Sequence, residues 1–240
     1  MSICIEVNNF TKTFRTRTVV DGLSFQVHTG EVFGLLGHNG AGKSTTIDLL
    51  LGLKKADSGS GTIFGLNPAK NRKEVFERVG VQLQSSNYQN NIRVDEVCQQ
   101  MSALYKNPQN YHELLKFFSL EQFEKSQVNK LSGGERQRLS VALALINQPD
   151  IVFLDELTTG LDTAARRDVW RRLKELKNKG TTIFLTTHYM EEAESLCDRI
   201  CLIKDGKKVI EGTVKEVVEQ SPYSHLEEAY LWYMGEEVAQ

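Results

Sequence analysis

Residues 37–44 have the composition and spacing of a phosphate-binding loop. They follow a short apolar run and read Gly37, His38, Asn39, Gly40, Ala41, Gly42, Lys43 and Ser44, with Thr45 next. Glycines let the backbone turn tightly and direct its N–H groups at phosphate oxygens, and a following helix end favours an anion. The lysine would neutralise phosphates and the serine hydroxyl would ligate Mg²⁺. The segment predicts a polyphosphate site; an ordinary glycine-rich turn is the alternative.

Two adjacent carboxylates, Asp155 and Glu156, follow the apolar run 151–154. The run predicts a buried strand, and open α/β sheets bind ligands at the carboxyl ends of their strands. Asp155 would hold Mg²⁺ through its water shell. Glu156 would orient and deprotonate an attacking water. The alternative is a pair of acidic turn residues without a catalytic role.

Residues 131–138 read LSGGERQR, and in them Ser132, Gly133 and Gly134 precede a predicted helix. A helix end of this kind is a second anion site. With this segment added to the two above, the chain resembles an ABC-type ATPase along nearly its whole length. The resemblance implies an α/β fold with a RecA-like P-loop core, a mostly parallel sheet, an antiparallel β-subdomain and a helical subdomain.

The resemblance implies roles for further single residues. Gln84 resembles the glutamine that senses the γ-phosphate and Mg²⁺, and His188 resembles the switch histidine after the last core strand. Asp162 resembles the aspartate of the dimer interface, and Phe14 the aromatic that stacks on adenine. A structural histidine and a core aromatic are the alternatives for His188 and Phe14.

The implied cofactors are ATP and Mg²⁺. Glu156, His188 and Gln84 would act in hydrolysis. The residues implied to hold the metal are Ser44, Gln84 and Asp155. The chain departs from the family at Leu157 and Thr163, where proline is frequent. Neither departure removes a reacting group, although proline would have fixed φ at both positions.

In the family, residues matching 131–138 complete the nucleotide pocket of the opposite protomer. A homodimer of this chain would therefore hold two ATP molecules, and a monomer would be catalytically incomplete. Because the γ-phosphate contacts donors from both protomers, ATP would close the dimer and hydrolysis would open it.

Residues 189–194, the turns at Gly206 and Gly212 and the ending from Leu226 resemble ATP-binding subunits of bacterial drug and antibiotic exporters. This implies an integral membrane permease as a partner, which would dock on the loop 84–91 and the helical region. A soluble ABC-type ATPase without a transport role, such as one serving iron–sulfur assembly, is the alternative. Since the sequence has neither a signal peptide nor an apolar run of about 20 residues, we expect a peripheral protein on the cytoplasmic face of the membrane.

The composition is that of an ordinary globular domain, with 40% hydrophobic and 25% charged residues among 240. A net charge of -2 argues against a dedicated nucleic-acid binder. We expect one ABC ATPase domain over 1–240. Its β-subdomain and RecA-like core would comprise 1–84 and 149–220, its helical subdomain 85–148, and its C-terminal helix 221–240.

Apolar patterns predict the elements that position these residues. Alternation over 3–10 and 19–27 predicts antiparallel strands, with turn signals at Asp21-Gly22 and Thr29-Gly30. The runs 151–154 and 182–186 predict strands of a βαβ unit. The basic helix between them, with arginines and lysines over 166–177, should present a solvated face. The remaining predicted elements are a buried strand at 32–36, helices at 43–51, within 94–147 and at 225–234, and a strand at 200–203.

Overall fold

The computed structural model describes residues 2–82 and 88–236. Within these ranges the strands are β1 (Ile3–Phe14), β2 (Arg17–His28), β3 (Val32–Leu36), β4 (Ser58–Ile63), β5 (Val79–Gln82), β6 (Ile151–Asp155), β7 (Thr182–Thr187), β8 (Arg199–Lys204) and β9 (Lys207–Thr213). The α-helices are α1 (Lys43–Leu50), α2 (Arg72–Phe76), α3 (Val94–Ser102), α4 (Tyr111–Phe117), α5 (Gly133–Ala144), α6 (Thr163–Asn178), α7 (Met190–Leu196), α8 (Val214–Glu219) and α9 (Leu226–Met234).

The chain divides into two compact units. The first comprises Met1–Val75 and Thr182–Gln240, and the second comprises Phe76–Thr181. In the described part of the chain, no helix combines the length and apolar character that crossing a bilayer requires.

The first unit contains an antiparallel sheet in the order β2-β1-β4. The β1–β2 hairpin turns at residues 15–16, because Phe14 pairs directly with Arg17. The prediction of a turn at Asp21-Gly22 is wrong. Gly22 lies inside β2 with a φ of 63°, next to an irregularity of the strand register. The glycine therefore serves a local distortion of the strand, where a left-handed backbone is needed.

The same unit contains a second sheet, in which β3 lies between the parallel strands β7 and β8, and β9 pairs antiparallel with β8. Every residue of β3 and β7 is buried, as their continuous apolar runs predict. Phe25 of the antiparallel sheet stacks on Phe33 of the second sheet with 5.4 Å between ring centroids. Phe184 completes this cluster at 5.7 Å from Phe33. Aromatic packing therefore joins the two sheets of the first unit.

The second unit contains the parallel pair β5–β6, with Gln82 opposite Leu154, and the helices α3 to α6. The predicted solvated face of the basic helix α6 is wrong at Arg172, which is only 8% exposed. Its guanidinium donates to Asp168 and, at 3.0 Å, to the hydroxyl of Ser119. It also lies over the ring of Phe118 at 5.7 Å. These partners satisfy the buried charge.

Helix α9 confirms the predicted C-terminal helix, with His225 as its N-cap residue. Its buried residues Leu226 and Met234 belong to a cluster that includes Leu36 at the end of β3. The hydroxyl of Tyr233 donates to the carbonyl of Val217 at 3.1 Å. The helix is therefore part of the core of the first unit.

Candidate functional site

The loop after β3 requires glycine at two positions. A Cβ on Gly42, where φ is 107°, would lie 2.5 Å from the carbonyl oxygen of Val19. A Cβ on Gly37 would lie 2.6 Å from the carbonyl oxygen of Ile203. Both separations are shorter than van der Waals contact, so any side chain would displace the loop. The bare backbone is left to approach an anion closely.

Lys43 begins helix α1 and is only 3% exposed. Its ammonium donates to the carbonyl of Gly37 at 2.8 Å and to that of His38 at 3.2 Å. These contacts hold the charge across the loop, beside the end of α1. Ser44 and Thr45 are half-buried in the first turn, where backbone N–H groups have no acceptor within the helix. Helix end and ammonium together favour a phosphate group.

The parallel strands β3 and β7 bring His188 to the same edge of the sheet as the loop. Leu36 is directly opposite Thr187. Gly37, the first residue of the loop, and His188 each follow directly after one of these paired residues. The half-buried imidazole packs against the ring of Tyr189, with 4.1 Å between centroids. The first unit therefore gathers the loop and His188 at the carboxyl ends of adjacent strands.

Phe14 is 40% exposed, so it is not a core aromatic of the β-subdomain. The ammonium groups of Lys12 and Lys54 each lie 5.4 Å from its ring centroid. Both lysines are paired with carboxylates, at 2.7 Å with Asp57 and at 2.8 Å with Asp48. An exposed aromatic ring is suited to stack on a nucleobase.

In the second unit, Asp155 ends β6 with 3% exposure, and Glu156 follows half-buried. The φ of Glu156 is 49°, in the left-handed region. A left-handed backbone costs a residue with a side chain about 1–2 kcal/mol. Strain of this kind is concentrated at functional sites. Leu157, where the family often has proline, is 2% exposed and so anchors this turn by burial.

Ser132 is the N-cap of α5 in a reciprocal capping box. Its hydroxyl accepts from the amide of Glu135 at 3.2 Å, and its own amide donates to the Glu135 carboxylate at 2.7 Å. A Cβ on Gly133 would meet nothing within 4 Å, which leaves the helix end open beside that residue. An anion bound there would share the helix end with the Glu135 carboxylate.

Asp162 caps the neighbouring helix α6, since its carboxylate accepts from the amide of Ala165 at 2.8 Å. A Cβ on Gly134 would lie 3.3 Å from the Cβ of Ala165, so the second unit brings residues 131–138 and the start of α6 together. Thr163 is the first residue of α6. Proline is favoured there because that amide has no helical acceptor, and threonine leaves the hydrogen bonds of the helix unchanged.

Gln84 and the adjacent residues of the predicted docking loop, 84–87, lie outside the described residues. Among the described residues, no group of three or more His, Cys, Asp or Glu side chains could hold a metal ion. Ser44 and Asp155 offer only oxygen donors, which fit Mg²⁺. That ion usually takes one or two carboxylates together with water and substrate phosphates. This donor chemistry fits a metal ion that arrives with a nucleotide.

Sequence reasoning missed the part that β2 plays at the loop. The carbonyl of Val19 approaches Gly42 and also Gly206, where a Cβ would again lie 2.5 Å away. The amide of Gly206 donates to the carbonyl of Ala41 at 3.0 Å. A backbone carbonyl carries no signal in the residue type, so only the three-dimensional structure reveals this support.

Residues 20–159 match the profile of a family described as ABC transporter. The chain is 43% identical over 220 residues to a Burkholderia lata protein named Nod factor export ATP-binding protein I, covering 90% of this chain and 72% of that protein. A protein of the same name from Ralstonia nicotianae is 43% identical over 219 residues, covering 89% of this chain and 68% of that protein.

A solved structure described as the ATP binding subunit of an ABC transporter is similar, with a TM-score of 0.87 and 27% identity over 96% of this chain and 99% of that chain. A bacterial ABC transporter cassette solved as a dimer has a TM-score of 0.78 and 27% identity over 88% of this chain and 98% of that one. These similarities confirm the predicted fold class.

Proposed function

We propose that this chain drives export through a separate integral membrane permease. The chain belongs to the ABC transporter family and is the ATP-hydrolysing subunit of such a transporter. The 43% identity to a protein named for export, over 90% of the chain, carries the proposal. The relatives do not favour the alternative, a soluble ATPase without a transport role. The permease, rather than this chain, would recognise the transported molecule.

We further propose roles within the nucleotide site. Residues 37–45 bind the phosphates of ATP, and the Lys43 ammonium neutralises the β- and γ-phosphates. Phe14 stacks on adenine. The carboxylate of Glu156 accepts a proton from the attacking water, and His188 supports the γ-phosphate at the end of β7. The left-handed backbone of Glu156 and the shared strand edge of His188 support these assignments.

Mg²⁺ is proposed at Ser44, Gln84 and Asp155. When bound, it would offset the negative charge of the phosphates. Asp155 is buried at the end of β6, and its carboxylate would bind the ion through water. The hydroxyl of Ser44 would bind it directly.

We propose that two copies of the chain form the working unit. Ser132, Gly133, Gly134 and Asp162 of one copy would contact the nucleotide of the other. The similar cassette solved as a dimer supports this arrangement. The two copies would lie on the cytoplasmic face of the membrane. Each copy would be one ATPase domain, divided into the subdomains that the sequence predicts.

Co-purification from native membranes tests the export proposal. The tagged chain should bring down a membrane protein with several apolar spans, and addition of that protein in lipid should change the rate of ATP hydrolysis. A Lys43→Ala variant is the matched control, because it should retain the partner and lose hydrolysis. The soluble alternative would be favoured if no membrane protein co-purified under any extraction condition and the chain alone hydrolysed ATP at its full rate.

A further inference from the structure

The β1–β2 hairpin presents an arginine to the phosphate loop. One terminal nitrogen of Arg17 lies 3.9 Å from the place where a Cβ on Gly40 would stand. Arg17 is directly opposite Phe14 in the strand register, and side chains of directly opposed residues lie on the same face of a sheet. The hairpin therefore carries an aromatic ring and a guanidinium side by side, and the guanidinium reaches the loop.

Backbone contacts hold this hairpin against the loop. The Val19 carbonyl fits against Gly42 and Gly206, both of which lack side chains. The amide of Asp21 donates to the carbonyl of Gly206 at 3.0 Å. Arg17 lies only two residues before Val19 in the same strand. The starting point of its side chain is thus fixed relative to the phosphate loop.

The charge of Arg17 is not compensated by a carboxylate. Lys12 and Lys54, the other cations near Phe14, each have an acidic partner. Over residues 2–82 and 88–236, no ion pair involves Arg17. An unpaired guanidinium beside an anion-binding loop has the fork geometry that matches phosphate oxygens.

We propose that Arg17 binds the phosphate chain of the nucleotide at Gly40 and so contributes to nucleotide affinity. The inference rests on the proposed assignment of residues 37–45 as the phosphate site. Arg17 contacts the phosphates without exchanging a proton, so it acts on binding and leaves the hydrolytic step to other residues. An ammonium in its place would supply charge but lose the bidentate geometry.

The test compares Arg17→Gln with Arg15→Gln, a charge-matched control in the same turn. Affinities for ATP, ADP and adenosine are measured by titration calorimetry. We expect Arg17→Gln to weaken ATP binding by about fivefold to twentyfold, in the range of a partly exposed charge-assisted contact. Arg17→Lys should recover part of the loss. Arg15→Gln should change ATP affinity by less than about twofold, and the Arg17→Gln effect should shrink with added salt.

Adenosine has no phosphate, so its affinity distinguishes the loss of a phosphate contact from a disturbance of the hairpin. Equal weakening of adenosine and ATP by Arg17→Gln would overturn the inference, because the effect would then pass through Phe14. A Lys43→Ala variant distinguishes failure of the inference about Arg17 from failure of the proposed phosphate site. If Lys43→Ala loses ATP binding while Arg17→Gln binds like wild type, the inference alone is wrong. If Lys43→Ala binds ATP normally, the phosphate-site assignment is wrong, and the inference about Arg17 is wrong as well.

Discussion

At the residue scale, the backbone of Glu156 is the least expected feature of the proposed site. The sequence predicts the carboxylate after a buried strand, because an apolar run followed by two acids is visible in the residue types. It does not predict the φ of 49°, since nothing local demands a left-handed residue there. The surrounding turn, closed by the Thr159 amide on the Glu156 carbonyl at 3.2 Å, maintains that conformation.

We predict that Glu156→Gly and Glu156→Ala both reduce ATP hydrolysis about 100-fold to 10,000-fold, because both remove the proposed general base. The glycine variant should have the greater free energy of unfolding, by about 1 kcal/mol, since glycine tolerates a left-handed φ. Phosphate release and urea titration measure the two effects, with Glu175→Gln as an exposed carboxylate control. A glycine variant less stable than the alanine variant would show that the backbone is not strained, because only the greater unfolded-state entropy of glycine would then distinguish them.

At the element scale, prediction succeeded where the signal is local and failed where partners are distant. Helix α1 and strand β3 follow from a glycine loop beside a continuous apolar run. Strand β4 was not predicted, because its sequence SGSGTI has no apolar alternation and pairing with β1 forms the strand. Arg172 was predicted to be solvated, because its partner Ser119 is distant in sequence.

Two helix caps separate stability from function. Asp162 caps α6, and Thr213 caps α8 by accepting from the amide of Glu216 at 3.1 Å. Alanine at either position should lower the free energy of unfolding by about 0.5–2 kcal/mol. Only Asp162→Ala should also impair ATP-dependent dimerisation, measured by light scattering. If both variants dimerise like wild type, Asp162 serves only as a cap.

The pair Asp95–Lys125 predicts a pH effect at the start of α3. The Lys125 ammonium, 2.8 Å from the carboxylate of Asp95, lowers the pKa of Asp95, while burial opposes this shift. The ion pair therefore stabilises the folded protein above the ordinary aspartate pKa of about 4. This stabilisation is lost as the pH falls through the lowered pKa that Asp95 has in the folded state. Lys125→Gln should lower the free energy of unfolding near neutral pH, with a deficit that shrinks below about pH 4. Lys106→Gln is the exposed control, and a deficit independent of pH would contradict the assignment.

At the scale of the whole molecule, the sequence motifs identify the reaction but not the assembly. The first unit holds the proposed phosphate loop and His188, and the second holds Glu156, residues 131–138 and Asp162. The proposed arrangement in trans rests on the family and on the similar cassette solved as a dimer.

Mixing two inactive variants tests the proposed dimer most directly. Lys43→Ala removes the lysine proposed to bind the phosphates, and Ser132→Arg blocks the proposed anion site at the start of α5. Each variant alone should hydrolyse ATP at a small fraction of the wild-type rate. In a mixture, one of the two sites of a heterodimer has both an intact loop and an intact partner segment. ATP hydrolysis should therefore recover toward half the wild-type rate per heterodimer, and no recovery at any mixing ratio would contradict sites shared between protomers.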